Sequence, residues 1–211
     1  MGKNLAPKCK QCRRVGEKLL LKGERCLTQK CGMVKRNYPP GVHGPKGRKR
    51  ASEFSTQLNE KQKAKKYYNV LEKQFRLTFE KAGKKTGDTG VNFLRLLEMR
   101  LDNVVLRLGY ASSHVEARQI VSHGHITVNG RKCDVPSAIV KAGDVIKIKK
   151  SSWNNRYFRT LKEKLKTAPS VSWLALDLKD KDLSGKVLHE PTKDDLPQNI
   201  NVQMIIEFYS K

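Results

Sequence analysis

Acidic side chains are scarce in this sequence: its 211 residues include 20 Asp and Glu against 44 Lys and Arg, a formal charge of +24 at pH 7. Such an excess of positive charge predicts a polyanionic partner, either nucleic acid or a membrane surface. Long apolar runs are lacking as well, since none approaches the roughly 20 residues that span a bilayer. Secretory signals and lipidation motifs are not found either. We therefore expect no membrane association and a nucleic-acid partner.

Catalytic motifs are also lacking. The five histidines show neither the spacing of a metalloprotease nor the elements of a catalytic triad. The segment Gly83–Thr86 has the Lys-Thr sequence of a phosphate-binding loop but lacks the glycine expected upstream. We therefore expect a protein that is not an enzyme.

Hydrophobic residues make up only 37% of the chain, which predicts small domains with extensions and a modest core. The charge is unevenly distributed. Residues 1–50 contain 15 basic and 2 acidic side chains, whereas residues 167–211 contain 5 basic and 7 acidic ones. A polyanion that contacts the front and middle of the chain would explain this gradient.

Cysteine is rare, yet four of the five cysteines are clustered. Cys9 and Cys12 form a C-x-x-C pair, and Cys26 and Cys31 form a C-x4-C pair after a gap of 13 residues. Two close pairs joined by a short loop place four thiolates around one tetrahedral point, as a structural zinc site requires. Disulfides are not expected without a secretory signal, whereas an iron–sulfur cluster also uses four cysteines. We predict one zinc ion, with an iron–sulfur cluster as the alternative, and a packing role for Cys133.

The clearest secondary-structure pattern begins after Met99. Apolar residues over Leu101–Leu108 recur at helical spacing, and Gly109 follows as a helix stop. Ser113 lies three residues before Glu116, the spacing of a capping box that begins a second helix. Two short helices are therefore predicted in succession.

The second helix leads into a predicted hairpin. The alternating strand Ile126–Val128 is followed by Asn129-Gly130, a strong signal for a type I′ turn. The apolar side chains of the helix, such as Ile120, are expected to face inward. Arg118 and His114 are then expected on the opposite, exposed face.

These residues resemble the small RNA-binding module of the ribosomal protein family number four of the small subunit. The family pattern is Arg-Leu-Asp, an apolar helix, Gly, Ser-Arg, Ala-Arg-Gln and Gly-His-Ile-x-Val-Asn-Gly. It appears here as Arg100-Leu101-Asp102, Gly109, Ser113, Ala117-Arg118-Gln119 and Gly124-His125-Ile126-Thr127-Val128-Asn129-Gly130. His114 stands where the pattern has Arg, so this helix is less basic than is usual in the family.

The resemblance covers nearly the whole chain. Lys22–Cys26 and Tyr38–Gly44 are similar to the metal-bearing type of the family, and the similarity continues to Ile205–Lys211. It implies a cytoplasmic constituent of the small ribosomal subunit that binds a five-way junction in the 5′ domain of small-subunit rRNA early in assembly. It also implies contact with small-subunit protein number five, a position near the place where mRNA enters, a role in decoding accuracy and, in some bacteria, repression of its own message. No homo-oligomer is expected.

Other segments complete the predicted layout. Residues 37–51, rich in Pro, Gly and basic side chains, are expected to form an extended basic loop without helix or strand. Ser52 is expected to cap the first of three helices, and Asn69 to end it in a left-handed conformation. Phe54 begins the series of aromatic and Leu positions that indicates a small helical bundle up to residue 98.

The C-terminal half is predicted to add strands and helices to this layout. Ala138–Val140 and Asp144–Lys149 are predicted strands that complete a small sheet on the module helices, and Trp153–Lys166 is a predicted basic helix. The family resemblance implies that the apolar tail packs back on the helical domain. The predicted fold is α+β: a mainly helical domain with an inserted RNA-binding module of two helices on an antiparallel sheet, and an N-terminal four-cysteine knuckle. The predicted segments are 1–51, 52–98, 99–166 and 167–211.

The expected mechanism is neutralisation of rRNA phosphates by basic side chains, with release of counterions. The candidate residues come from the knuckle, the basic loop, the first long helix and the module. They are Arg13, Arg14, Lys22, Lys35, Arg36, His43, Lys46, Arg48, Lys49, Arg50, Lys61, Lys65, Lys66, Arg107, Ser113, His114, Arg118, Gln119, His123, Arg131 and Lys132.

Two alternatives would use the same module: a non-ribosomal RNA-binding factor and an RNA-modifying enzyme. Pseudouridine synthases carry a catalytic Asp in an Arg-Leu-Asp context, which Arg100–Asp102 matches. However, the rest of this chain is short, basic and helical instead of a catalytic sheet domain, and Asp102 is expected to cap a helix. The flanking helical domain and the cysteine knuckle favour the ribosomal protein over a factor consisting of the module alone.

Overall fold

The computed structural model describes residues 4–47, 50–165, 171–177 and 183–210. The chain forms two compact units, one of Met1–Phe93 with Pro197–Lys211 and the other of Leu94–Leu196. The predicted candidates Arg48 and Lys49 lie outside the described residues. Among the described helices, none has the length and apolar character that crossing a membrane requires.

The first unit is helical. Its α-helices are α1 Lys8–Val15, α2 Gly32–Lys35, α3 Glu53–Tyr67, α4 Glu72–Gly83, the start of α5 Thr89–Glu98, and α9 Val202–Ser210, with 3₁₀ turns at Gly23–Leu27 and Gly44–Lys46. The turn at Gly44–Lys46 corrects the prediction that the basic loop has no helical residues. The predicted ends of α3 are confirmed: the Ser52 hydroxyl accepts a hydrogen bond from the Ser55 amide, and Asn69 has φ 51°.

Aromatic rings make much of the core of this unit. Phe75 packs edge-to-face on Phe93 with ring centroids 5.0 Å apart, and Phe79 stacks on Tyr209 of α9 at 4.8 Å. Ile205 of α9 is fully buried. Phe54, expected in this core, is 56% exposed, because the buried face of α3 instead carries Gln57, Lys61, Lys63 and Ala64.

The second unit combines helices with one antiparallel sheet. Its elements are α6 Leu101–Arg107, α7 His114–Ser122, β1 Ile126–Val128, β2 Arg131–Lys132, β3 Val145–Ile148, α8 Arg156–Leu165, β4 Leu174–Asp177 and β5 Ser184–Val187, with 3₁₀ turns at Lys150–Asn154 and Lys193–Asp195. The strand order is β2-β1-β3-β5-β4. The predicted hairpin turn is confirmed, since Asn129 and Gly130 have φ of 50° and 79°.

The tail contradicts the expectation that all of residues 167–211 pack on the helical domain. β5 pairs with β3, and Trp173 and Leu183 are buried in the core of the second unit. At Gly185 of β5, a Cβ atom would lie 2.5 Å from the side chain of Leu108. Glycine therefore allows α6 to approach the sheet. The tail from Pro197 onward, which includes α9, belongs to the helical unit.

The predicted strand Ala138–Val140 does not form. Its backbone bonds to the start of α6, where the Leu101 amide donates to the Ala138 carbonyl and the Val140 amide donates to the Met99 carbonyl. Ile139 forms one isolated bridge with Arg100. These local partners satisfy the segment before it can extend the sheet.

Candidate nucleic-acid interface and cysteine cluster

The four N-terminal cysteines line one small pocket. Cys9 and Cys12 come from α1, Cys26 from the 3₁₀ turn and Cys31 from the start of α2, around a cavity of about 10 Å³. That space is close to the volume of one water-sized atom. All four are free thiols.

Burial, hydrogen bonds and neighbouring thiols act on the cysteines of this pocket. Burial raises the pKa of the Cys12 thiol, a backbone hydrogen bond at Leu19 lowers it, and the other three cysteines raise it again. The Lys22 amide donates a hydrogen bond to the Cys26 sulfur at 3.3 Å. Within the described ranges, no group of three or more His, Cys, Asp or Glu side chains has the arrangement of a metal site. The structure thus brings the four predicted ligands together without showing a metal site.

Basic side chains of the N-terminal segment are mostly exposed. Arg14, Lys22, Lys35, Arg36, His43, Lys46 and Arg50 all belong to the exposed class. Arg13 differs because it is half-buried, donates to the carbonyls of Tyr38 and Pro39 at 2.9 and 3.1 Å, and lies 4.7 Å from the Tyr38 ring centroid. Arg13 therefore fixes the start of the basic loop, while its neighbours are accessible to a polyanion.

The candidates on α3 are engaged within the protein. Lys61 is 6% exposed and pairs with Glu72 at 2.7 Å, and its ammonium lies 4.7 Å from the Phe208 ring centroid. Lys65 also pairs with Glu72, at 2.6 Å. Although partial burial raises the pKa of Glu72, hydrogen bonds from the two lysines lower it to about 2. Lys61, predicted to contact RNA, is therefore occupied by partners within the protein. Half-buried Lys66 has its pKa lowered by burial and by the charge of Arg14.

Arginines of the module helices form ion pairs with nearby carboxylates. Arg100 donates two hydrogen bonds to Asp102, at 3.0 and 2.8 Å, and both residues are buried. Arg118 lies 3.6 Å from the same carboxylate. Asp102 therefore binds two guanidinium groups instead of capping α6 as predicted, and Arg118, with a side chain 12% exposed, does not project freely into solvent.

A second pair fixes the end of α6. Arg107 donates to Glu98 at 2.9 and 2.7 Å, and the Glu98 side chain is 1% exposed. The side-chain amide of Asn103 also donates a hydrogen bond to the Glu98 carboxylate. The side chain of Arg107 is 26% exposed, so only part of it can contact a partner.

His114 contradicts its predicted position on an exposed face. It is 7% exposed, and burial, followed by the charges of Arg107 and Arg100, lowers its pKa to about 3. His114 is the first residue of α7, directly after the capping Ser113, and belongs to the buried side of the helix together with Ala117, Ile120 and Val121. His114 is therefore neutral near pH 7 and cannot replace a surface arginine.

The predicted capping box at α7 is formed in part. The Ser113 hydroxyl accepts from the Glu116 amide at 3.4 Å, whereas the Glu116 carboxylate accepts from the amide and hydroxyl of Ser112 at 2.7 and 2.6 Å. Ser113 is 8% exposed. Its hydroxyl therefore caps α7, and its burial limits the RNA contact predicted for Ser113.

Other candidates of the module are exposed. Gln119 and His123 lie on and after α7, and Arg131 and Lys132 lie on β2 beyond the hairpin turn. Lys132 pairs with Asp134 at 3.2 Å, although both side chains are more than half exposed. The hairpin is consequently an accessible basic feature of this unit.

Sequence reasoning missed the acidic partners, chiefly Glu72 and Glu98. Each is brought to its cations by a turn between helices: Lys65 and Glu72 belong to α3 and α4, and Glu98 and Arg107 to α5 and α6. Helical periodicity pairs residues three or four apart, so it gives no signal for contacts that cross a helix boundary.

Known ribosomal proteins are similar to both parts of this chain. Residues 3–98 match the family model described as Ribosomal protein S4/S9 N-terminal domain, and residues 99–146 match the S4 domain. The chain is 53% identical to small ribosomal subunit protein uS4A of Alkaliphilus metalliredigens over 96% of each chain. It is 50% identical to the uS4 proteins of Thermus thermophilus and of Clostridioides difficile over the full length of each chain. The chain therefore belongs to the S4 (uS4) family of small-subunit ribosomal proteins.

Proposed function

We propose that this protein is a structural constituent of the small ribosomal subunit and binds small-subunit rRNA directly. As a member of a ribosomal protein family, it is a structural protein and not an enzyme. The observation that carries the proposal is the exposed basic surface of the N-terminal segment, in a chain that aligns over its full length with uS4 proteins. Its lysines and arginines would neutralise phosphates and release counterions.

Cosedimentation tests this function. The tagged protein should travel with small ribosomal subunits on a gradient, and the purified chain should bind small-subunit rRNA with an affinity that falls steeply with salt. A protein recovered only with other RNAs would indicate the non-ribosomal RNA-binding factor instead. Binding that does not respond to salt would contradict phosphate neutralisation.

We further propose that the four cysteines hold one zinc ion. Four sulfur ligands from two close pairs fit the composition of a closed structural zinc site. All four thiols line the same small pocket, as a single ion would require. Lys22 and Arg25 also line this pocket and would offset the charge of four thiolates. When bound, zinc would supply a crosslink between α1, the 3₁₀ turn and α2.

Native mass spectrometry tests the metal. Protein purified without oxygen or chelators should carry one zinc ion per chain. An iron–sulfur cluster would instead give a broad visible absorbance and iron in elemental analysis. Four thiols that alkylate freely in such a preparation would contradict both metal proposals.

The finer assignments rest on family resemblance. We propose the five-way junction of the 5′ domain as the rRNA target, with protein number five and mRNA near its entrance as neighbours in the assembled subunit. Early binding in assembly, a contribution to decoding accuracy and a cytoplasmic location belong to the same proposal. Chemical footprinting of small-subunit rRNA with and without the protein would test the junction directly.

A further inference from the structure

The second unit contains a cleft of about 240 Å³. Helix α7 and the residues after it contribute one side, and the start of α8 contributes the other. The lining residues that matter here are Gln119, His123, His125, Asn155, Tyr157 and Phe158. The cleft therefore joins the region matched by the S4 domain with residues beyond it.

Aromatic rings define the shape of the cleft. Phe158 is 1% exposed and forms its floor. The His125 and Tyr157 rings both stand steeply on Phe158, at interplanar angles of 61° and 89° and centroid distances of 5.3 and 5.2 Å. The two half-buried rings and Phe158 give the cleft aromatic walls, on which a flat aromatic ligand can stack.

Hydrogen bonds hold these two rings in place. The Tyr157 hydroxyl donates to the Tyr110 carbonyl at 3.0 Å, and His125 Nδ1 lies 2.9 Å from the Ser152 hydroxyl. Burial, followed by the charges of His123 and Lys149, lowers the pKa of His125, which keeps its ring neutral near pH 7. Rings that are already fixed before binding lose little conformational entropy when a ligand enters the cleft.

The rim carries groups that can hydrogen-bond to the edge of such a ligand. Gln119 and His123 are exposed. The Asn155 oxygen accepts from the Tyr157 amide at 3.1 Å, which directs the amide NH₂ as the remaining donor. Amides and imidazole both donate and accept, as the edges of nucleobases require. The Glu116 carboxylate also lines the cleft, and the Ser112 amide and hydroxyl hold it in place by donating hydrogen bonds to it.

Two lysines, Lys132 and Lys149, lie near the histidine side of the cleft. The Lys132 side chain lies over Gly124, the residue between His123 and His125. Lys149 is close enough to His125 to lower its pKa. These cations would favour a ligand that carries phosphate beside its aromatic ring.

We propose that this cleft binds a single unpaired nucleotide of the RNA, with its base against the His125 and Tyr157 rings and its edge hydrogen-bonded by Gln119, His123 and Asn155. Unstacked bases held on aromatic side chains are a common mode of RNA recognition. The proposal rests on the proposed rRNA-binding function and adds a base-specific contact to one that otherwise uses phosphates alone.

Photocrosslinking tests the site in the full chain. Small-subunit rRNA transcribed with 4-thiouridine is bound, irradiated and digested, and crosslinked peptides are identified by mass spectrometry. Crosslinks are expected within residues 119–125 or 155–158. The double variant Gln119→Ala/His123→Ala should lower their yield about tenfold, because two edge hydrogen bonds are lost. The matched control, His189→Ala/Gln198→Ala, removes an exposed His and an exposed Gln elsewhere and should leave the yield unchanged.

A histidine footprint separates a base from simple charge attraction. Diethyl pyrocarbonate should modify His123 in the free protein, and rRNA should protect it, whereas heparin, a polyanion without bases, should not. Protection by both would overturn the proposal, as would crosslinks confined to other segments while rRNA affinity is retained. Protection seen only in assembled subunits would indicate a protein occupant and would also overturn it. Failure of the wild-type chain to bind rRNA at all would instead contradict the proposed function.

Discussion

The cations of the N-terminal segment and those of the module helices occupy opposite environments. In the first region, side chains such as Lys35 and Arg36 are exposed and form no ion pair with any described residue. On the module helices, Arg100, Arg107 and Arg118 are each bound to a carboxylate of the same unit. Equal formal charge in the sequence therefore corresponds to an exposed basic surface in one region and to internal ion pairs in the other.

This difference changes how the net charge should be interpreted. An arginine held by a buried carboxylate adds little to the attraction of a polyanion, because its charge is already balanced. The exposed cations near the cysteine cluster keep their full effect at a distance set by salt screening. The N-terminal segment should thus dominate electrostatic attraction to RNA, while the module supplies shape and the hairpin.

The largest expected effect is loss of structure around the cysteine cluster. Cys26→Ser removes one proposed zinc ligand, and structural zinc contributes on the order of 10 kcal/mol to local folding. Hydrogen exchange should become fast over roughly the first forty residues. Exchange in α6 and α7 should be unchanged. The matched control Cys133→Ser removes a thiol of the module and should leave the zinc content intact.

If Cys26→Ser reduced protection from hydrogen exchange equally in the N-terminal segment and in α6 and α7, the two regions would not be independent. Unchanged protection in both would contradict the zinc proposal. Chelation of the wild-type chain should reproduce the effect of the variant, and added zinc should reverse it.

A second test breaks the internal support of the module. Arg100→Met leaves the buried Asp102 without its two-point partner, and removing one member of a buried pair costs about 3–5 kcal/mol. Urea unfolding monitored by tryptophan fluorescence should report the loss, since Trp153 and Trp173 both belong to this unit. An apolar double variant, Arg100→Met/Asp102→Leu, should recover most of the stability. If Arg100→Met lowers the free energy of unfolding by less than about 1 kcal/mol, the Arg100–Asp102 ion pair does not stabilise this unit.

Local sequence signals predicted much of the fold. The Ser52 and Ser113 caps, the left-handed Asn69 and the Asn129-Gly130 turn all depend on chemistry within a few residues, and the structure confirms them. The pairing of β5 with β3 and the burial of Lys61 depend on residues far apart in the chain. Such contacts leave no periodic pattern, so the tail and the occupied cations could not be predicted.

Charge removal compares the two regions directly. If both side chains contact phosphates, Lys35→Gln/Arg36→Gln should reduce the slope of log affinity against log salt by about 1.4–1.8 units. The same change at Arg107 and Arg118 should reduce it by less, since those charges are balanced by Glu98 and Asp102. Filter binding of small-subunit rRNA over a salt series measures both slopes. A larger effect at Arg107 and Arg118 would reverse the proposed division.

His114 provides the smallest and most specific test. Its pKa is lowered to about 3 in the folded state, whereas an unfolded His has a pKa near 6.5, so below about pH 6.5 the unfolded chain binds a proton that the folded chain does not. The free energy of unfolding should therefore fall as pH is lowered from 7 to 5, by up to about 2 kcal/mol from this residue. His114→Gln should remove that part of the pH dependence in urea titrations, while His189→Gln, at an exposed position, should retain it. If His114 instead served as a surface cation, rRNA affinity would rise below pH 6.5 and His114→Arg would tighten binding at neutral pH. The burial of His114 beside Arg100 and Arg107 predicts that His114→Arg destabilises the module, because it would bring a third positive charge into a site that already disfavours a protonated imidazole.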